Sequence, residues 1–117
     1  MSKLKHLRPS DAGEPIVDRP GPEKLLEGNP EFRSWPCRDG GKVHTGIWAA
    51  TPGLHKVERD ETGLEQFYIL EGEVELTEEG SQPKRFGAGD LVVIEPNFRG
   101  TWRTISTVKK VYFFVEF

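Results

Sequence analysis

A single cysteine, Cys37, occurs among 117 residues. That excludes an intramolecular disulfide and a thiolate metal cluster held within one chain. No apolar run approaches the roughly 20 residues that a membrane-spanning helix needs. The opening MSKLKHLRPS carries no apolar segment of the kind found in secretory signals, so the expected location is the cytoplasm. A basic excess is missing too, since 16 Lys and Arg face 19 Asp and Glu, for a formal net charge of −3. Nucleic acids and anionic membrane surfaces both call for a cationic footprint. Neither is expected as a partner. The length leaves room for one domain, and stability must come from packing, shared in part with another subunit.

Glycine and proline are what the chain has in quantity, 13 and 9 residues. Many turns favour numerous short strands over a few long helices. Residues 1–31 contain five prolines and few large apolar side chains, which reads as an N-terminal arm. Within it, Pro22 to Glu27 is expected to form one or two helical turns, with proline at the first helical position and Gly28 as the C-terminal cap. The rest of the arm is expected to be extended, lying over the body or reaching a neighbouring subunit.

From Phe32 to Phe117 the chain alternates between apolar runs and turn residues. The candidate strands are KVHTGIWAAT (42–51), LEQFYIL (64–70), EVELT (73–77), KRF (84–86), LVVI (91–94), TWRTI (101–105) and the segment from Val108 onward. Their spacing near ten residues, with Gly, Pro or Asn at the junctions, is that of an all-β antiparallel sandwich or barrel. Two segments, Phe67–Leu70 and Val111–Val115, are apolar without interruption. Alternate side chains of a strand point to opposite faces, so one apolar set fills the barrel and the other lies outside it. A homodimer that covers the outer set follows from the cost of leaving it wet.

The residues around Gly53 and Gly89 resemble the two motifs of the cupin superfamily. In the first motif's register stand Gly53, Arg59, Glu61, Glu65 and Gly72, with both histidines replaced; in the second stand Gly89, Glu95, Asn97, Gly100 and Thr104, with its histidine replaced. The blocks GIWAATPG, EQFYILEGEVELTEEG, GAGDLVVIEPNFRGTW and VKKVY are similar, in order, to the single-domain group related to (S)-ureidoglycine aminohydrolase and the EutQ-type cupins. The resemblance implies an RmlC-like jelly-roll barrel over 32–117. In metal-binding members three His and one Glu hold a divalent ion, and the resemblance puts Arg59, Glu61, Glu65 and Gly100 at those positions.

Arginine keeps its proton near neutral pH and repels a metal ion while offering a fork of donors to a carboxylate. No metal and no other cofactor is therefore expected at the motif positions. Two readings of the cluster remain open. In one, Arg59, Glu61 and Glu65 recognise a small polar molecule such as a carboxylate or ureido compound, with Trp102 as an apolar wall on the same face as Gly100. In the other, Arg59 and Glu61 face solvent in the polar loop KVERDETG and Glu65 is a remnant held by a backbone hydrogen bond.

His44 and His55 do not match the motif and read as surface or hydrogen-bonded core residues. The alternating Glu71, Glu73 and Glu75 form the wet face of a strand. Gly87-Ala88-Gly89 precedes a strand where a nucleotide fingerprint needs a helix, and no motif identifies a catalytic residue. Two functions stay open: a metal-free small-molecule-binding or interaction module, and an enzyme acting on a ureido, amino or carboxylate compound. In the enzyme Arg59 is the anion clamp and Glu65 or Glu61 the acid or base.

Overall fold

Alternating apolar residues closed by Gly- and Pro-containing turns put most of the chain into strands. The computed structural model describes residues 2–117, and the strands among them are β1 (Ile16–Asp18), β2 (Leu25–Gly28), β3 (Phe32–Arg38), β4 (Val43–Ala50), β5 (Gly53–Glu58), β6 (Gly63–Glu78), β7 (Lys84–Gly87), β8 (Leu91–Ile94) and β9 (Arg99–Glu116). All pair antiparallel in one sheet that curls into a jelly-roll barrel. Among the described residues helix is confined to a single 3-10 turn at Pro9–Asp11. Among the described residues no helix is long and apolar enough to cross a membrane.

The long strands β6 and β9 pair along their whole length. On its other edge β9 holds β5 along its first half and β4 along its second, while β6 holds β8 and then β7. This arrangement corrects the expected segmentation. LEQFYIL and EVELT are one strand, as are TWRTI and the segment from Val108. The break expected at Glu71-Gly72 is a set of register shifts between Ile69 and Val74, with Gly72 at φ +90°. A bulge bends a strand and increases its twist without ending it. Glycine is required there because any Cβ would collide with the Thr107 carbonyl oxygen.

The helix expected over Pro22–Glu27 is a single turn in which the amides of Lys24 and Leu25 both donate to the Gly21 carbonyl. The chain then runs straight into β2, which pairs with the edge of β5. One turn of helix closes too few hydrogen bonds to offset its nucleation, whereas an open sheet edge offers a partner for every other amide. Near the chain start, Trp35 Nε1 donates to the Gly13 carbonyl and Lys109 Nζ to the Pro9 carbonyl, so this segment lies along the outer side of β3 and β9.

Inward-pointing residues of the spine and its neighbours make the core: Phe67, Ile69, Val74, Leu76, Val92, Ile94, Trp102 and Val108. Their strand neighbours Tyr68, Leu91, Val93, Val111 and Phe113 point outward and are exposed.

Two of the positive-φ glycines, Gly72 and Gly80, separate backbone strain from collision. At Gly80, φ +83°, a Cβ would stand in open space. Gly80→Ala is expected to cost about 1 kcal/mol, the left-handed penalty alone, and Gly72→Ala about 3 kcal/mol or more. Chemical denaturation of the two variants checks this; equal losses would show that the Gly72 bulge is not a fixed point of the fold.

Candidate functional site

Period-two alternation decides which side chains reach the barrel interior. On β5 the inward series His55, Val57 continues to Arg59, just past the strand end; on β6 it is Glu65, Phe67; on β9 it is Trp102, and farther along Lys110, Tyr112 and Phe114; on β4 it includes His44 and Trp48. These series meet around a cavity of about 450 Å³.

At its centre lies Glu65, only 6% exposed. Its Oε1 accepts from Arg59 Nη2 at 2.7 Å and its Oε2 from Lys110 Nζ at 2.6 Å. The Lys110 ammonium faces the rings of Phe67 at 4.3 Å and of Trp48 and Trp102 at 4.6 Å, where cation–π attraction partly replaces lost water. Burial pushes the Glu65 carboxyl upward, but the charges and hydrogen bonds of Lys110 and Arg59 outweigh it and hold Glu65 below the usual carboxylate range. Burial draws Lys110 down from its ordinary value, opposed by Glu65.

His55, 8% exposed, is held edge-on to Phe32 at 5.0 Å and stacked with Trp102 at 6.3 Å. Its Nδ1 lies 3.2 Å from the Lys56 carbonyl, an acceptor only, so Nδ1 carries the proton. Burial lowers its pKa, and the charges of Lys110, Lys24 and Arg59 lower it further against the Lys56 hydrogen bond; the ring is neutral at pH 7. His44 Nδ1 donates to Asp39 Oδ1 at 3.2 Å. Trp102 satisfies its own indole N–H through Thr104 Oγ1 at 2.9 Å and presents an apolar face. Among the described residues, three buried side-chain polar atoms have no hydrogen-bond partner: His44 Nε2, His55 Nε2 and Arg59 Nε. All three residues line this cavity. A second hollow of about 250 Å³, lined by Leu76, Phe86 and Phe98 with exposed Glu78 and Glu95 at its rim, has none.

Of the four residues singled out from sequence, Arg59, Glu65 and Trp102 come together on the cavity. Glu61 does not: it is exposed in the turn between β5 and β6. Gly100 lies outside the cavity as well, pressed against the Thr77 carbonyl. Lys110, His55, His44 and Trp48 belong to the site although no motif marks them. Parity was the available signal, because Lys110 alternates in phase with Val108 and Tyr112, and His55 with Val57 and Arg59.

These residues do not fit a divalent cation. Both Glu65 oxygens are engaged by fixed cations, and a metal ion beside them would meet the charges of Arg59 and Lys110. Among the described residues no group of three His, Cys, Asp or Glu side chains converges, where an open metal site needs about three ligands.

The family model for EutQ-like cupin domains matches residues 38–112. Among solved structures, the chain is similar to a protein of unknown function from Pseudomonas syringae pv. tomato (TM-score 0.79, 22% identity, 93% of this chain and 46% of that one). It is also similar to the EutQ protein of Clostridium difficile (TM-score 0.64, 10% identity, 74% of this chain and 63% of that one). A third likeness is to a protein described as a predicted oxalate decarboxylase from Thermotoga maritima (TM-score 0.73, 16% identity, 96% and 99%). The chain thus spans about half the length of the first and under two thirds of the second. No curated protein matches it.

Removing one member of a buried charge cluster leaves the others uncompensated, at a cost of about 3–5 kcal/mol. Glu65→Gln is expected to lose that much in urea titrations, and adding Lys110→Met to restore part of it by removing the stranded ammonium. A Glu65→Gln loss below about 1 kcal/mol would show that the cluster carries little of the fold.

Proposed function

This chain belongs to the EutQ-like cupin domain family, and we propose that it works as a metal-free binding protein for a small organic carboxylate held in the cavity between β4, β5, β6 and β9. One observation carries the reading. Arg59 gives Nη2 to Glu65 and keeps its Nε–H buried and unpartnered on the cavity wall, and a buried donor without an acceptor is costly. At the buried centre two cations, Arg59 and Lys110, face one carboxylate, Glu65, an excess of one positive charge; the cavity's other carboxylate, Asp39, is on its exposed rim against His44. An entering carboxylate supplies both the acceptor and the missing charge, through hydrogen bonds strengthened by the charge on each side. Trp48, Trp102 and Phe114 offer apolar surface to its carbon atoms.

An enzymatic reading, action on a ureido, amino or carboxylate compound, has one supporting observation, the neutral and unpartnered His55 Nε2. In that reading His55 is the base. Glu65 has both oxygens committed, and Glu61 is outside the cavity.

We further propose that the protein is a homodimer joined through the outer face of β8, β6 and β9. Leu91, Tyr68 and Val111 lie side by side in one row, and Val93, Gln66 and Phe113 in the next. The rows carry no charge, and the two-fold axis of a dimer would bring like rows together, as isologous interfaces require. Residues near Pro9 and Gly13 already cover the adjoining part of the same side, at Lys109 and Trp35.

Titration calorimetry with propionate and butyrate at fixed ionic strength is expected to show saturable binding by the wild type, weakened about tenfold or more in Arg59→Ala. Arg59→Lys, which keeps the charge and loses the fork, is expected to be intermediate. Absence of binding by both acids and by their hydroxy derivatives would overturn the carboxylate reading. Light scattering is expected to return twice the chain mass for wild type and one chain mass for Val111→Lys; a monomeric wild type at micromolar concentration rules out the dimer.

A further inference from the structure

Resting on the carboxylate reading above, we propose that the ligand is an acid that also carries a neutral hydrogen-bond donor, a hydroxyl or an amide N–H, and that His55 Nε2 is the residue that selects for it. The complement of the unpartnered atoms defines this class. Arg59 Nε–H is a donor and calls for an acceptor. His55 Nδ1 is protonated by its contact with the Lys56 carbonyl, so in the neutral ring Nε2 is an acceptor and calls for a donor. His44 differs: Asp39 accepts from its Nδ1, and Glu116 Oε1 lies 3.5 Å from its Nε2, so carboxylates of the chain face both of its nitrogens and it adds no acceptor to the set.

A simple aliphatic acid would satisfy Arg59 and leave the His55 acceptor dry. An acid with a hydroxyl satisfies Arg59 and His55 together. A site built to hydrogen-bond a ligand hydroxyl discriminates strongly against the analogue that lacks it, because its own buried group is then stranded. The charged groups felt at His55 are Lys110, Lys24 and Arg59, all cations, so an ammonium is the wrong donor there. Trp102 stacks on the ring and Phe32 packs edge-on to it, and the Lys56 carbonyl keeps the proton on Nδ1.

The test uses the full chain and two matched series: propionate, lactate and alanine; butyrate, γ-hydroxybutyrate and γ-aminobutyrate. In at least one series the hydroxy acid is expected to bind about tenfold tighter than both its parent acid and its amino analogue, and His55→Phe to erase that advantage. Parent acids that bind as tightly as their hydroxy counterparts in both series would overturn this inference and leave the carboxylate reading intact. Failure of every acid, hydroxy acids included, would take the carboxylate reading down first. An advantage that survives in His55→Phe would also overturn the assignment to His55. A measurement independent of that variant's folding is nitrogen NMR of the wild-type imidazole. It is expected to show Nε2 unprotonated in the free protein and accepting a hydrogen bond when the hydroxy acid binds; a proton on Nε2 in the free protein overturns the inference.

Discussion

A carboxylate sealed inside a small barrel stays ionised only while positive charge faces it closely enough to replace water. Glu65 meets that condition twice over, with Arg59 on one oxygen and Lys110 on the other. Each partner alone would leave a costly group in the interior. Together they tie β6 to β9 and to the end of β5, the three strands that define the cavity. The aromatic residues around Lys110 are part of the same device: Trp48, Phe67 and Trp102 surround an ammonium that burial would otherwise push toward neutrality. The polar centre therefore dictates which large residues the core can use, and the core in turn shields the centre.

The shape of the barrel makes the meeting possible. Lys110 stands opposite Ile69 on β6, and Glu65 opposite Phe114 on β9, so the pair is diagonal across two strands and is closed by the reach of the lysine. The register shifts near Gly72 turn the farther half of β6 over the interior, and β9 follows it. The bulge lies opposite Thr107 and Val108, just before Lys110 on β9, between the half of that strand that holds Trp102 and the half that holds Lys110.

Much of the barrel is legible in the chain itself. The turns at Pro52-Gly53 and at Gly87 to Asp90 have the residues their geometry demands, and the uninterrupted apolar runs of β6 and β9 announce strands buried on one face and apolar on the other. Local signals failed where a long-range partner decided the outcome. Leu25 to Gly28 carries a weak helical pattern and becomes a strand because β5 has a free edge. Glu71-Gly72 reads as a turn and is a bulge because β9 pairs continuously on the other side. The site was legible in the same proportion: Arg59, Glu65 and Trp102 are marked by motif spacing, whereas Lys110 and His55 become visible only when each strand's inward phase is known. Glu61 shows the converse. It matches the spacing, but β5 ends at Glu58 and its inward alternation carries no farther than Arg59, so Glu61 falls in the exposed turn before β6.

The resemblance to the cupin motifs puts Arg59 where metal-binding members place a ligand, and here its guanidinium shares Glu65 with the Lys110 ammonium. A bound metal polarises whatever oxygen reaches it and is indifferent to the rest of the ligand, so selectivity must come from the walls. Fixed side-chain cations behave differently. Arg59 offers donors in a rigid plane, Lys110 is occupied by Glu65, and neither can supply a Lewis-acidic open position. On the proposed reading, what discriminates one small acid from another is the set of unused donors and acceptors on the cavity wall, together with the charges that surround each of them. That set is small, and the proposed recognition is consequently a matter of which hydrogen atoms a ligand brings and where.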